Sequence, residues 1–130
     1  MKKVNLIVPC YNEAEALPLF KDELNKVIQT LDQYTFEILL INDGSTDTTL
    51  SVMKEICDTD SHYKYISFSR NFGKEAAMLA GLELSKGDYV AIMDADLQDP
   101  PSLLPKMLDL LNDPNNDYDS VGTRRVTRKG

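Results

Sequence analysis

No stretch of this sequence is apolar for anything near the ~20 residues that a membrane-spanning helix needs. The opening Met1-Lys2-Lys3 leads into an apolar run of only about six residues, shorter than a secretory leader requires. Glycine-rich phosphate loops are missing as well: neither G-x-G-x-x-G nor G-x-x-x-x-G-K-[ST] occurs. That excludes the two commonest ways of resting a phosphate on a helix N-terminus. Cysteine is scarce, with Cys10 and Cys57 in strand-end and helix contexts and no metal-ligand spacing. The pair is expected to be reduced thiols of a cytosolic protein, not a disulfide framework. The lone histidine, His62, falls in a turn and reads as solvated. Internal repeats and low-complexity tracts are absent.

What is present fits one globular domain with a real core: 130 residues, 42% hydrophobic and 27% charged. The net charge of −7 is unevenly spread, since all 21 acidic residues lie at or before Asp119. An acidic body argues against nucleic-acid binding. Arg124, Arg125, Arg128 and Lys129 crowd the last seven positions. That basic, polar end predicts a mobile tail over 123–130, leading on from a domain over 1–122 that is cut before it is complete.

Apolar runs and helical periodicities alternate along the chain. Val4–Val8 is a β-branched strand expected to stop at Pro9. Leu17, Phe20, Leu24, Val27, Ile28 and Leu31 recur at helical spacing, predicting a helix from Ala16 to about Gln33, with Pro18 in its first turn. Phe36–Ile41 reads as a strand buried on both faces. A helix over about Asp47–Cys57 follows, then a strand at Tyr63–Phe68. The alanine-rich helix Glu75–Ser85 is expected to pack through Ala76, Leu79, Ala80 and Leu82, with Gly87 as its stop. Tyr89–Met93 is the fourth strand. Its helix, N-capped by Ser102, buries Leu103, Leu104, Met107, Leu108 and Leu111, with Pro105 near its start. Tyr118–Gly122 is a short fifth strand. This alternation predicts an α/β fold: a doubly wound, mostly parallel sheet with helices on both faces and right-handed crossovers.

In such a sheet, ligands bind beyond the carboxyl ends of the strands. Three strands end there in polar clusters: Cys10-Tyr-Asn-Glu13, Asn42-Asp-Gly-Ser-Thr-Asp47 and Asp94-Ala-Asp96. A nucleotide needs a flat apolar contact and a polar partner for its base, a carboxylate for its ribose, and charge compensation for its phosphates, usually by a cation. Tyr11, Asp43, Glu13 and Asp96 respectively are candidates. Each signal is common alone: a single D-x-D is weak, Asp43-Gly44 is ordinary turn chemistry, and Asp99 before Pro100 is a plausible helix cap. Their convergence on one sheet edge is what points to a site.

Val8-Pro-Cys-Tyr-Asn-Glu13, Ile41-Asn-Asp-Gly-Ser-Thr-Asp-Thr48, Arg70-Asn-Phe-Gly-Lys74 and Met93-Asp-Ala-Asp-Leu-Gln-Asp-Pro-Pro101 together resemble the inverting family 2 glycosyltransferases. The branch most similar loads sugars onto polyprenyl phosphates, as dolichyl-phosphate mannose synthases and bacterial undecaprenyl-phosphate glycosyltransferases do. The resemblance implies a GT-A fold and a nucleotide-diphosphate sugar donor, a UDP-sugar by preference and GDP-mannose otherwise. It places Pro9, Tyr11 and Glu13 in the nucleoside pocket with Asp43 at the base, and Asp94 with Ala95 beside ribose and diphosphate. Asp96 and Gln98 would ligate Mg²⁺ or Mn²⁺ through hard oxygen donors. Gly73 and Lys74 would approach the donor, and Arg124, Arg125 and Arg128 would grip phosphates of donor or acceptor. The general base and the membrane-associating helices of this branch would lie beyond Gly130, and the full-length protein would work at the cytoplasmic face of a membrane. Self-association through apolar surface that downstream segments would cover is a further expectation. Two other readings are a family 2 transferase acting on a polysaccharide or glycan, and a non-catalytic nucleotide-binding module. A nucleotidyltransferase on a similar sheet is disfavoured by the acidic first loop.

Overall fold

A computed structural model describes residues 1–96, 100–112 and 126–128. In chain order these form β1 (Lys2–Cys10), α1 (Ala16–Ile28), β2 (Tyr34–Asn42), α2 (Thr49–Thr59), β3 (Tyr63–Ser67), α3 (Lys74–Leu84), β4 (Tyr89–Ile92), a 3₁₀ turn (Pro101–Leu103), α4 (Leu104–Asn112) and β5 (Val126–Arg128). The sheet order is β3-β2-β1-β4-β5. The first four strands run parallel, as the alternation with helices predicts. The chain therefore winds outward through β1, β2 and β3, then returns to lay β4 on the other side of β1. That reversal makes the β1/β4 gap the switch point of the sheet.

Strand alternation divides the core into two layers. Val4, Leu6 and Val8 of β1, Phe36, Ile38 and Leu40 of β2, and Tyr89, Ala91 and Met93 at β4 face one side. There they meet Leu17, Phe20 and Leu24 of α1, Met53 and Ile56 of α2, and Leu104, Met107, Leu108 and Leu111 of α4. Ile7, Leu39, Ile41, Val90 and Ile92 face the other side and meet Ala77 of α3. β1 and β2 are thus buried on both faces, and each fully buried large aliphatic side chain contributes roughly 1.5–3 kcal/mol.

Several local expectations are corrected. β1 does not stop at Pro9 but runs on to Cys10, pairing Pro9 with Ile41. The odd-numbered residues of β1 direct their polar groups toward β4, as the bonds Asp88 N–H to Lys3 O (2.8 Å) and Met93 N–H to Ile7 O (3.0 Å) show. Pairing with β4 ends at Ile7, so the N–H that proline lacks falls where no ladder needs it. α1 ends at Ile28, not near Gln33. The chain tightens there into i→i+3 turns, Thr30 N–H to Val27 O and Leu31 N–H to Ile28 O (both 3.0 Å). These turns still deliver Leu31 to the core, which is why its periodicity resembled more helix. α3 packs through Ala77 and Gly81, with Met78 and Leu82 alongside, while Leu79 is 61% exposed. The helix sits so close to the sheet that a Cβ on Gly81 would lie 2.5 Å from Ile7 Cγ2. Small residues win that face because they alone permit the approach. Ser102 lies inside the 3₁₀ turn, whose N-cap is Pro100, and Pro105 falls in the first turn of α4.

Within the segment expected as a basic tail, residues 126–128 form β5, antiparallel to β4, with Ala91 opposite Val126 and Tyr89 opposite Arg128. The strand expected at Tyr118–Gly122 lies outside the described residues. Among the described residues no helix is long and apolar enough to cross a membrane.

Candidate functional site

At the carboxyl edge of the sheet, a cleft of about 180 Å³ is lined by Pro9, Cys10, Tyr11, Glu13, Asp43, Lys74, Asp94 and Asp96. It opens beside the β1/β4 switch point, just beyond Ile7, where the pairing between those strands ends. Seven of the residues singled out from the sequence therefore line one cavity: Pro9, Tyr11, Glu13, Asp43, Lys74, Asp94 and Asp96. Gly73 borders it through a backbone N–H given to Asp43. Ala95 takes its side chain into the core instead, at 1% exposure. Gln98, Arg124 and Arg125 lie outside the described residues, as do the side chains of β5, Arg128 among them.

Each loop that contributes to the cleft is held by another. Asn12, at φ 54° in the left-handed region that Asn tolerates, turns the β1–α1 loop over the β2–α2 loop. Its Oδ1 accepts from the N–H groups of Thr46 (2.8 Å) and Asp47 (3.3 Å), and its own N–H donates to Ser45 Oγ (3.0 Å). The Glu13 N–H donates to Thr49 Oγ1 at 2.9 Å. Thr49, buried at the start of α2, in turn donates its N–H (2.9 Å) and its hydroxyl to Asp47 Oδ1. Sequence reading passed over Asn12 and Thr49. The only available signal was an Asn in a turn, and its partners lie more than thirty residues away.

Charge defines the other wall. Lys74, the first residue of α3, places Nζ 2.9 Å from Asp94 Oδ1. Opposite, burial pushes the Glu13 carboxyl above its ordinary range, and the neighbouring Asp96, Asp94 and Asp47 add to the shift. The buried Cys10 thiol is also driven well up, first by burial and then by Glu13 and Asp94. It donates to Val8 O at 3.4 Å and acts as packing, not as a nucleophile. Asp47 is shifted the other way, chiefly because the Thr49 hydroxyl bonds its charged form. Among the described residues, the cleft thus brings Glu13 close to other carboxylates and places Lys74 against Asp94.

A divalent cation would offset that negative charge, and oxygen donors are the right type for Mg²⁺ or Mn²⁺. Among the described residues, however, no three acidic, histidine or cysteine side chains converge as a ligand set. Mg²⁺ commonly binds through one or two carboxylates plus substrate phosphates and water, and the donors present fit that mode.

Comparison with known proteins agrees with the geometry. The family model "Glycosyl transferase family 2" matches residues 5–130. CsbB of Bacillus subtilis (strain 168) is 46% identical over 127 residues, spanning 98% of this chain and 37% of its own length. The undecaprenyl-phosphate 4-deoxy-4-formamido-L-arabinose transferase of Yersinia pestis (strain Pestoides F) is 37% identical over 130 residues, 99% of this chain and 38% of its own. The mannosyltransferase PcManGT from Pyrobaculum calidifontis, solved with GDP-Man and Mn²⁺, superposes with a TM-score of 0.74 at 28% identity, covering 87% of this chain and 33% of that one. The fold is that of the GT-A glycosyltransferases. The chain spans a little over a third of the length of the curated relatives it matches.

Proposed function

The chain belongs to glycosyl transferase family 2, and on that premise we propose that it is the donor-binding part of an enzyme that transfers a sugar from a nucleotide-diphosphate sugar to a polyprenyl phosphate, with inversion. The observation that carries the reading is the cleft itself. Carboxylates from the ends of β1, β2 and β4 and a lysine from the start of α3 meet at the switch point of the sheet. The lipid-phosphate acceptor is supported by the undecaprenyl-phosphate transferase among the relatives. A nucleotide-sugar donor and a divalent cation are supported by the mannosyltransferase solved with GDP-Man and Mn²⁺. UDP-sugars are the favoured donors, with GDP-mannose as the second choice. The full-length protein is proposed to work at the cytoplasmic face of a membrane, with its acceptor-side residues beyond Gly130.

In this reading, the ring of Tyr11, 46% exposed, gives the base a flat contact beside Pro9, and Asp43 stands at its edge. Glu13 accepts from the ribose hydroxyls. Asp96, with Gln98, would hold Mg²⁺ or Mn²⁺, and that ion supplies charge compensation for the departing diphosphate. Lys74 adds a fixed positive charge on the same side, oriented by Asp94. In the transfer, an oxygen of the acceptor phosphate bonds to the anomeric carbon from the face opposite the diphosphate. The bond to the diphosphate oxygen breaks, and the electron pair leaves with the nucleoside diphosphate. The attacking phosphate is already an anion, so little proton abstraction is needed.

Calorimetric titration of UDP and GDP with and without Mn²⁺ tests the reading. Binding of at least one, strengthened by Mn²⁺, is expected. Failure of both to bind a protein that is folded by circular dichroism would overturn it.

A further inference from the structure

Asp43 is only 4% exposed, and its carboxylate is already engaged. Oδ1 accepts the Phe72 N–H at 2.8 Å, and the Gly73 N–H is shared between Oδ1 (3.3 Å) and Oδ2 (3.1 Å). Asn71 Nδ2 donates to Oδ2 (3.3 Å) and to the Asp43 carbonyl (3.2 Å). A carboxylate offers about four lone-pair positions, and the Asn71–Gly73 loop directs three donors at them, one shared between both oxygens. The backbone of Asp43 is pinned in turn, since its N–H donates to Cys10 O at 2.9 Å.

The adjoining residue shows how tightly the loop is seated. Gly44 has φ +68°, and a Cβ there would lie 2.2 Å from both Arg70 C and Asn71 N. On the outer side, the Arg70 guanidinium stacks 4.5 Å from the centre of the Phe72 ring, and Phe68 meets that ring edge-on at 5.6 Å. Gly73, at φ +102°, then turns the chain into α3. The next residue is Lys74, with Nζ 2.9 Å from Asp94 Oδ1. A continuous set of contacts therefore runs from the Asp43 carboxylate, through three loop residues, to the lysine across the cleft.

We propose that Asp43 is a positioning residue for the phosphate side of the site: its carboxylate latches the 71–73 loop and so fixes Lys74 against Asp94. The proposal rests on the donor-binding reading above and extends it, because a base-edge partner alone would have no influence on the diphosphate. Charge-assisted bonds to backbone N–H groups are the strong kind, and a neutral amide in the same place can accept through one atom only.

The test compares nucleoside with nucleoside diphosphate. In Asp43→Asn, amide exchange at Phe72 and Gly73 in the ligand-free protein is expected to quicken by about tenfold or more. Affinity for UDP or GDP with Mn²⁺ should fall by about tenfold more than affinity for uridine or guanosine. Gly44→Ala leaves the carboxylate intact and displaces the loop, and it should reproduce the selective loss on the diphosphate. Asn71→Ala removes one donor only and should shift both readouts the same way by less, which keeps the test open if the first two variants do not fold. An equal loss for nucleoside and diphosphate, or unchanged exchange at Phe72 and Gly73, overturns the latch. If the wild-type protein binds no nucleotide at all, the donor reading fails separately. The latch is then judged by exchange together with the ¹⁵N shift of Lys74 Nζ: both must change in Asp43→Asn, and constancy of either overturns it.

Discussion

The two ends of the same four parallel strands are built on opposite principles. At the amino end, polar groups are matched. Asn5, 1% exposed, accepts the Gly87 N–H at 2.6 Å, Lys3 meets Glu37 at 3.3 Å, and the Lys3 N–H bonds the Asp88 carboxylate at 2.8 Å. The hydroxyl of Tyr89 joins Lys2 (3.0 Å) and Asn112, and Asn112 reaches Tyr34. At the carboxyl end, burial raises the Glu13 pKa, and the charges of Asp96, Asp94 and Asp47 add to the shift. At the amino end the charged and polar groups meet complementary partners, whereas at the carboxyl end Glu13 also lies among other carboxylates whose charges disfavour its ionised form. Stability and binding should therefore separate along the strand direction.

The largest expected effect is at the carboxyl end. Asp96→Ala should remove the Mn²⁺ dependence of nucleotide binding, a loss of about a hundredfold or more if the cation contributes several kcal/mol. Its melting temperature should stay near that of the wild type. Calorimetry with and without Mn²⁺, beside a thermal melt, reads both quantities.

Next in size is a change that should touch stability far more than binding. Gly81→Val places a side chain where a Cβ already lies 2.5 Å from Ile7 Cγ2, and overpacking of this kind costs about 1–3 kcal/mol or more. Chemical denaturation measures it. At the amino end, Asn5→Ala orphans the buried Gly87 N–H, with an expected cost of about 1–3 kcal/mol and unchanged nucleotide affinity. If Asn5→Ala weakened nucleotide binding as much as stability, the separation of the two ends would be wrong.

The smallest effect is in pH dependence. Glu13 carries a folded-state pKa above its usual value, first from burial and then from Asp96, Asp94 and Asp47. Between the unfolded and folded values, the folded state holds more protons than the unfolded one. Its contribution to stability therefore falls as pH rises through that window, and the penalty is fully present above it. Asp47 works in the opposite sense, since its lowered pKa stabilises the fold above the usual aspartate range and that support is lost on acidification. A divalent cation bound beside Glu13 should bring its pKa down, which the ¹³C shift of the Glu13 carboxyl follows directly. Insensitivity of that shift to Mg²⁺, with nucleotide present, would separate Glu13 from the cation site.

Legibility followed the same divide between local and long-range physics. β1, β2 and β4 were readable because apolar runs of strand length must be buried on both faces, and the parallel order followed from their alternation with helices. The end of β1, the end of α1 and the face of α3 were not. Pro9 is harmless only because pairing with β4 ends at Ile7, and Leu31 is buried by a turn that continues the helical spacing. Close packing of the alanine-rich helix was expected through Ala76, Leu79, Ala80 and Leu82, but Ala77 and Gly81 form the buried face with Leu82 alongside and Leu79 exposed, a helix rotation that the local pattern did not fix. In the site, Pro9, Tyr11, Glu13, Asp43, Lys74, Asp94 and Asp96 were legible as acid-bearing or motif residues at strand and loop ends. What holds them was not: Asn12 bridges to Thr46 across 34 positions, and Asp43 reaches Phe72 across 29. Such partners become visible only once the strands are laid side by side.

The central claim is that the carboxyl end of the sheet, at the gap between β1 and β4, is where nucleotide and cation bind. Paramagnetic broadening by sub-stoichiometric Mn²⁺, in the presence of saturating nucleoside diphosphate, tests it most directly. Amide signals at Tyr11–Glu13, Asp43–Ser45, Gly73–Glu75 and Asp94–Asp96 should broaden, while those at Lys2–Asn5, Tyr34–Glu37 and Lys86–Tyr89 stay sharp. Equal broadening at both ends, or broadening confined to the amino end, would contradict the account.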